Sequence, residues 1–239
     1  MDQKRPLTFT TFMLRLFSGL VGGAAGTLAL FIVYFLMSYA VPQGDAEGPS
    51  SLTVFVVIIM TFVGTLIANT VTGVMVTFMD STKYTRRKTT ILHIFIFNFI
   101  LFFLTIPLYM IGSMLEIANG VAAIHFLLSA FITALIMEVI AGYEYSLLGI
   151  YSMALGMFVS IAIALAMMSA GVRPITIMFA AMPGVWFILQ LVGGFAELIY
   201  DNFVKLYGVD FLNVQTDLGG DKEIESTEEG EEEEEESKD

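Results

Sequence analysis

Three amide side chains stand near the middle of long apolar stretches of the chain: Asn69, Asn98 and Gln190. An amide both donates and accepts hydrogen bonds, so a group of amides deep in a membrane can line a polar cavity for an uncharged or zwitterionic solute. The hydroxyls of Ser129 and Thr133 fall at a similar depth and belong to the same predicted ligand-binding set. The alternative is that these five side chains hydrogen bond between helices, each bond contributing roughly 0.6–2 kcal/mol.

Residues that commonly carry catalysis or bind metals are scarce. The chain has no cysteine and two histidines, His93 and His125, which excludes an HExxH zinc motif. Ser129 lies one helical turn from His125, but no acid accompanies that pair, and no GxSxG motif or phosphate-binding loop is present. We therefore predict that the protein is not an enzyme and has no metal site and no cofactor.

The composition points to a membrane. Of 239 residues, 56% are hydrophobic and 14% charged, where soluble domains average about 25% charged residues. The mean hydropathy is +0.80. Most of the net charge of −12 belongs to residues 217–239, which leaves a nearly neutral body. A lipid bilayer is the partner that such a body requires, and nothing in the sequence favours nucleic acid.

Six stretches reach the roughly 20 apolar residues that a helix needs to cross a bilayer. The sequence thus predicts an all-α integral membrane protein, a bundle of six transmembrane helices. The first stretch, at about 26 residues, exceeds the ~7–15 of a signal-peptide core and is predicted to be retained. The predicted spans are Leu16–Val41, Leu52–Met79, Thr90–Ile111, Val121–Ile140, Leu147–Ala170 and Ile175–Tyr200.

The basic residues predict the orientation. Lysine and arginine near span ends favour the cytoplasmic side. Placing both termini there leaves every basic residue except Arg173 inside. The strongest cluster lies in the loop after the second span and comprises Lys83, Arg86, Arg87 and Lys88. We expect N-in, C-in topology, in the plasma (inner) membrane.

The chain is predicted to divide into four parts. Residues 1–15 form a cytoplasmic segment, 16–200 the transmembrane domain, 201–216 a short amphipathic interfacial helix, and 217–239 a disordered acidic tail. The tail lacks the apolar residues needed to fold. It either keeps the chain soluble at the membrane surface or contacts a basic cytosolic partner.

Two nearly identical phrases contain paired glycines: Leu20–Ala25 reads LVGGAA and Leu191–Ala196 reads LVGGFA. Helices in lipid associate through close packing of small residues. We predict that the first and last helices meet at these phrases in the inner part of the membrane. A second membrane protein packing on the first-span glycines is the other expectation. The predicted packing residues are Gly19, Gly22, Gly23, Gly26, Gly193 and Gly194.

Proline and acidic residues complete the candidates. Pro183 and Gly184 lie near mid-depth of the sixth span, where a missing hydrogen bond and a flexible neighbour predict a hinge. Glu138 and Glu197 lie toward the inner surface, and we expect them to pair with the basic loop or to act in a gate.

Two functions remain open. The first is a non-catalytic transport component for a small uncharged or zwitterionic solute. In size, topology and the spacing of Ala25 and Ala29, the chain resembles the substrate-binding subunits of energy-coupling-factor vitamin transporters, six-helix proteins that dock through small residues on their first helix. No ligand motif of that family carries over. The alternative is a membrane scaffold or assembly protein that packs against other membrane helices and recruits cytosolic partners through its tail.

Overall fold

The computed structural model describes residues 8–40, 51–79, 87–115, 118–141 and 146–207. Regular structure in this part of the chain is entirely helical, and its six helices are all long and apolar enough to cross a membrane. The protein is an integral membrane protein with a polytopic helical body. The helices are α1 (Phe9–Ala40), α2 (Ser51–Met79), α3 (Arg87–Met114), α4 (Ala118–Ala141), α5 (Ser146–Ser169) and α6 (Pro174–Tyr207). The predicted tail lies outside the described residues.

Two helix ends differ substantially from the predicted spans, whereas the other ends lie within about one helical turn of them. α1 begins at Phe9 rather than Leu16 because Thr8 caps it. The Thr8 hydroxyl accepts from the Thr11 backbone N–H at 3.2 Å, which satisfies a donor of the first turn. Arg15, predicted to precede the membrane domain, is therefore part of α1. At the other end, α6 continues to Tyr207, past the predicted end at Tyr200.

A tight turn joins α5 to α6. Gly171 has a φ of 77°, a left-handed conformation that glycine adopts without steric cost. Its N–H donates to the Met168 carbonyl at 3.0 Å, and the Val172 N–H donates to Met167 at 3.1 Å. This is the hydrogen-bond pattern of a Schellman motif. Pro174 then starts α6, where its missing N–H costs nothing.

Side-chain polarity is reversed relative to a soluble protein. Large apolar side chains face outward; Phe103 is 64% exposed and Phe158 is 73% exposed. Polar side chains such as Asn69, Thr65 and Ser18 are instead at most 1% exposed. Lipid tails solvate the outer face, and the buried polar groups must find partners inside the bundle.

Residues of α1, α2, α4, α5 and α6 form the main apolar core. Trp186 of α6 lies at its centre, with its ring 5.1 Å from that of Phe126 in an edge-on arrangement. Met153 and Met182 fill the space around them. The polar side chains described next lie beside this core.

Candidate functional site

The amide cluster consists of Asn69 on α2, Asn98 on α3, and Ser129 and Thr133 on α4. The Asn69 amide nitrogen donates to Asn98 Oδ1 at 2.8 Å and to Ser129 Oγ at 2.7 Å. The Ser129 hydroxyl also donates to Asn98 Oδ1, at 2.7 Å. The structure thus brings four of the five predicted ligand-binding residues together, directly bonded to one another.

Asn98 has no hydrogen-bonding capacity left for a solute. Its Oδ1 accepts two bonds within the amide cluster. Its amide nitrogen donates to the Ile94 carbonyl at 2.7 Å and to Thr133 Oγ1 at 3.2 Å. An amide has two acceptor and two donor positions, so all four are occupied.

Trp186 connects the amide cluster to α6. Its indole N–H donates to Asn69 Oδ1 at 3.0 Å, and the side chain is 3% exposed. A buried indole N–H needs such a partner, and the bond adds a fourth helix to the network. Interhelical hydrogen bonds therefore tie α2, α3, α4 and α6 together at this level.

Gln190, the fifth predicted ligand-binding residue, bonds to α1 instead. Its Oε1 accepts from Arg15 Nε at 2.8 Å. The same guanidinium forms an ion pair with Glu197, with Nη1 and Oε2 separated by 2.9 Å. Arg15 bridges these two residues of α6, which lie two helical turns apart, through the planar fork of its guanidinium.

The ion pair is buried, because the side chains of Arg15 and Glu197 are 7% and 9% exposed. Two charges removed from solvent remain ionised only when paired and hydrogen-bonded. Arg15 thus links α1 to α6 through its ion pair with Glu197 and its hydrogen bond to Gln190. Glu197, expected to pair with the basic loop, has this partner on α1.

The glycines of α6 make room for the arginine. A Cβ added at Gly193 would overlap the Met153 side chain and lie 3.3 Å from Arg15 Nη2. A Cβ at Gly194 would lie 2.7 Å from the Phe12 ring. A larger side chain at Gly194 would displace Phe12 of α1, and one at Gly193 would displace Met153 of α5 and crowd Arg15.

The glycines of α1 form two contact faces. A Cβ at Gly19 would lie 2.6 Å from the Trp186 carbonyl oxygen, and one at Gly23 would lie 2.5 Å from the Pro183 Cα, both on α6. Gly22 and Gly26 face α2 instead; a Cβ at Gly26 would lie 2.7 Å from the carbonyl oxygen of Gly64. The predicted first-span packing face is therefore covered inside this bundle, where a partner protein would not reach it.

α1 and α6 pack antiparallel, but the two glycine phrases do not face each other. Phe12 lies against Gly194 near one end of the contact, whereas Gly23 lies against Pro183 further along. The expected meeting of phrase with phrase is thus corrected to a meeting of the two helices at offset positions. The reason is geometric, since each glycine pair accommodates a bulky group or backbone atom of the partner helix rather than another glycine.

Pro183 lies within an uninterrupted α6. A proline removes the hydrogen bond to the carbonyl four residues earlier, here that of Phe179. The Thr27 hydroxyl of α1 lies 3.3 Å from that carbonyl oxygen and 3.0 Å from the carbonyl of Gly23. Thr27 therefore offers the Phe179 carbonyl a donor in place of the missing N–H, which it shares with the Gly23 carbonyl. Among the described residues, a Cβ placed on Gly184, the other predicted hinge residue, would meet no atom within 4 Å beyond its own stretch of helix.

Four of the six predicted interfacial charges lie wholly or by their side chains outside the described residues. Lys83 and Arg86, and the side chains of Arg87 and Glu138, lie outside the described part. Lys88 is exposed in the first turn of α3.

His125 and Ser129 are both buried on α4 but bond to different residues. His125 Nδ1 lies 3.1 Å from Thr105 Oγ1 on α3, whereas Ser129 bonds within the amide cluster. The Ser129 hydroxyl thus donates its proton to Asn98 rather than to a histidine. An activated serine nucleophile would instead donate to a base.

A cavity of about 10 Å³ lies next to the amide cluster. Its lining includes Asn69, Thr72, Thr133 and Gln190, with apolar contributions from Met137 and other residues. This volume is at the lower limit for a single water molecule, so the cavity as it stands excludes a larger solute.

Sequence reasoning missed two members of these networks, Arg15 and Trp186. Arg15 precedes Gly19 by four residues and so lies on the glycine face of α1. Trp186 and Glu197 lie four residues before and seven after Gln190, on one face of α6. The signal for the ion pair was therefore in the sequence. Arg15 lies on the small-residue face of α1, and the acidic Glu197 lies close to the paired glycines of α6.

Comparisons of the chain with protein-family models, curated proteins and solved structures found no match.

Proposed function

We propose that this protein is a non-catalytic membrane scaffold, whose helical body is an anchor and whose acidic residues 217–239 bind basic cytosolic proteins. The observation that carries this proposal is the hydrogen-bond saturation of Asn98 by its neighbours. Amides that bond to each other across packed helices stabilise a bundle, whereas amides that bind a solute must keep donors and acceptors unoccupied. The glycine face of α1 is covered by α2 and α6, so we assign the recruitment of partner proteins to the tail.

Carriage of a small uncharged or zwitterionic solute is the second candidate. What favours it is the small cavity lined by polar side chains, including Thr133 and Gln190. A solute larger than water would require α1 or α6 to move, and the Arg15–Glu197 ion pair opposes such a movement.

The two candidates differ in what should accompany the gently purified protein. For the scaffold, mass spectrometry should find basic proteins that are lost when Glu231–Glu236 are replaced by glutamine, and that are released by salt because exposed charges are screened. This variant keeps the tail length and so is matched to the native chain. Equal recovery of the same proteins with both tails would contradict the proposal.

Asn98→Ala should destabilise the bundle rather than remove a ligand. The change leaves buried donors on Asn69 and Ser129 without their acceptor, at an expected cost of about 1–3 kcal/mol. Unfolding of the purified variant in detergent measures this loss. A small molecule that co-purifies with the native protein and is absent from an equally stable Asn98→Ala variant would instead favour carriage.

The proposal requires the tail and the Lys83–Lys88 loop to be cytoplasmic, in the plasma membrane. The chain has no cysteine, so a thiol reagent labels only a cysteine that is introduced by substitution, and the labelling shows on which side of the membrane that residue lies. In intact cells, an impermeant maleimide should label Ser50→Cys but not Ser81→Cys or Ser237→Cys, and all three should react after permeabilisation. Labelling of Ser237→Cys in intact cells would refute the orientation.

A further inference from the structure

Thr72, one of the residues that line the small cavity beside the amide cluster, has an unsatisfied hydroxyl whose oxygen lies next to Gly22 of α1. Thr72 of α2 is 2% exposed, and within the described residues its Oγ1 has no hydrogen-bond partner. The residue lines the cavity. A buried hydroxyl without a partner is unfavourable, and in native proteins such groups are commonly satisfied by ordered water.

Two further residues with spare hydrogen-bonding capacity line the same cavity. Thr133 accepts a bond from Asn98 at 3.2 Å, and its own hydroxyl proton remains available. Gln190 bonds to Arg15 through Oε1, while its amide group has two N–H donors. Thr72, Thr133 and Gln190 come from α2, α4 and α6, so they surround the cavity from three helices.

We propose that this cavity is a binding site for one water molecule, held by Thr72, Thr133 and Gln190. A volume of about 10 Å³ is at the lower limit for one water, and buried waters make about three hydrogen bonds. A cation is disfavoured, because the Arg15 guanidinium bonds to Gln190 at the same place.

The water has a structural consequence. The amide cluster reaches the cavity through Thr133, and the Arg15–Glu197 ion pair reaches it through Gln190. One bridging water joins the two networks into a continuous set of hydrogen bonds from Glu197 to Asn98. The polar interior of the bundle then forms one unit.

Radiolytic hydroxyl-radical footprinting of the full-length protein in nanodiscs tests the site, since radicals generated from a bound water oxidise the side chains around it. Met137 lines the cavity, whereas Met153 is equally buried elsewhere in the core. We expect Met137 to be oxidised several-fold faster than Met153. Equal oxidation of the two methionines would overturn the proposal.

Thr72→Val supplies an independent measurement, because it removes the hydroxyl. The new methyl takes the place of Oγ1 next to Gly22, so the rate of Met137 oxidation is the decisive readout. If the water is held there, the variant should show slower oxidation of Met137, together with a lower apparent Tm. An unchanged or raised Tm would mean that the hydroxyl had no partner to lose, and would overturn the proposal.

Thr65→Val is the matched control. Thr65 is also buried on α2, but its hydroxyl donates to the Thr61 carbonyl at 2.8 Å, away from the cavity lining. Its substitution should leave Met137 oxidation unchanged. Equal loss of oxidation in both variants would indicate a general change of the helix and would refute the water site.

Discussion

Gly23→Ala is expected to lower the apparent Tm of the detergent-purified protein by about 5–10 °C, which corresponds to an overpacking cost of roughly 2–3 kcal/mol. The added Cβ would lie 2.5 Å from the Pro183 Cα and 2.8 Å from the Met182 carbonyl oxygen. Both are backbone atoms of α6, so no side-chain rotation relieves the overlap. α1 and α6 must move apart, and the close packing that associates helices in lipid is lost.

Gly184→Ala is the control for this experiment. It makes the same chemical change within α6, one residue from Pro183, but in the part of the chain that the structure describes its Cβ would meet no atom within 4 Å beyond its own stretch of helix. Because alanine has the higher helix propensity, the Tm should stay constant or rise. Similar losses from the two substitutions would show that helical glycine itself, rather than the α1–α6 contact, matters for stability.

Removing one partner of the buried ion pair is expected to have the largest effect of any single substitution. Arg15→Leu leaves the Glu197 carboxylate in a site where it is 9% exposed, and removes the donor to Gln190 Oε1. Breaking a buried pair in this way costs about 3–5 kcal/mol. Equilibrium unfolding in denaturing detergent mixtures, compared with the native chain, measures the loss.

A double-mutant cycle separates the pair from its surroundings. Combining Arg15→Leu with Glu197→Leu removes both charges, so the double variant should be more stable than either single variant, with a coupling energy of about 2 kcal/mol or more. Arg15→Lys should rescue only part of the stability, because an ammonium group lacks the planar fork that reaches Gln190 and Glu197 together. Strictly additive single losses would contradict the assigned contact.

The transmembrane helices could be predicted well because their cause is local. A run of about 20 apolar residues suits a bilayer whatever the rest of the chain does, and each of the six predicted spans overlaps one helix. The position of a helix end depends on a few nearby groups, so the ends of α1 and α6 differed most from the predicted spans. The hydroxyl of Thr8 caps α1, so the helix begins at Phe9 and includes Arg15, which the sequence had predicted to precede the membrane domain.

The sequence also predicted that each amide lies near the middle of a helix, but it did not predict the hydrogen-bond partners of these amides. A residue's position within a span follows from counting, whereas its bonding depends on which helices become neighbours and at what rotation. Asn98 and Gln190 have the same chemistry and a similar predicted depth. The first bonds within the amide cluster and the second to Arg15, because α3 faces α4 while α6 faces α1.

The sequence by itself determined the membrane environment, the helical class and the presence of small-residue faces on the first and last helices, since composition and periodicity act through each segment alone. Only the tertiary structure decided that Gly23 meets Pro183, that Arg15 pairs with Glu197, and that the amides of Asn69 and Asn98 satisfy each other. These contacts join residues far apart in the chain, and they arise from the mutual fit of helix surfaces, which no single segment encodes.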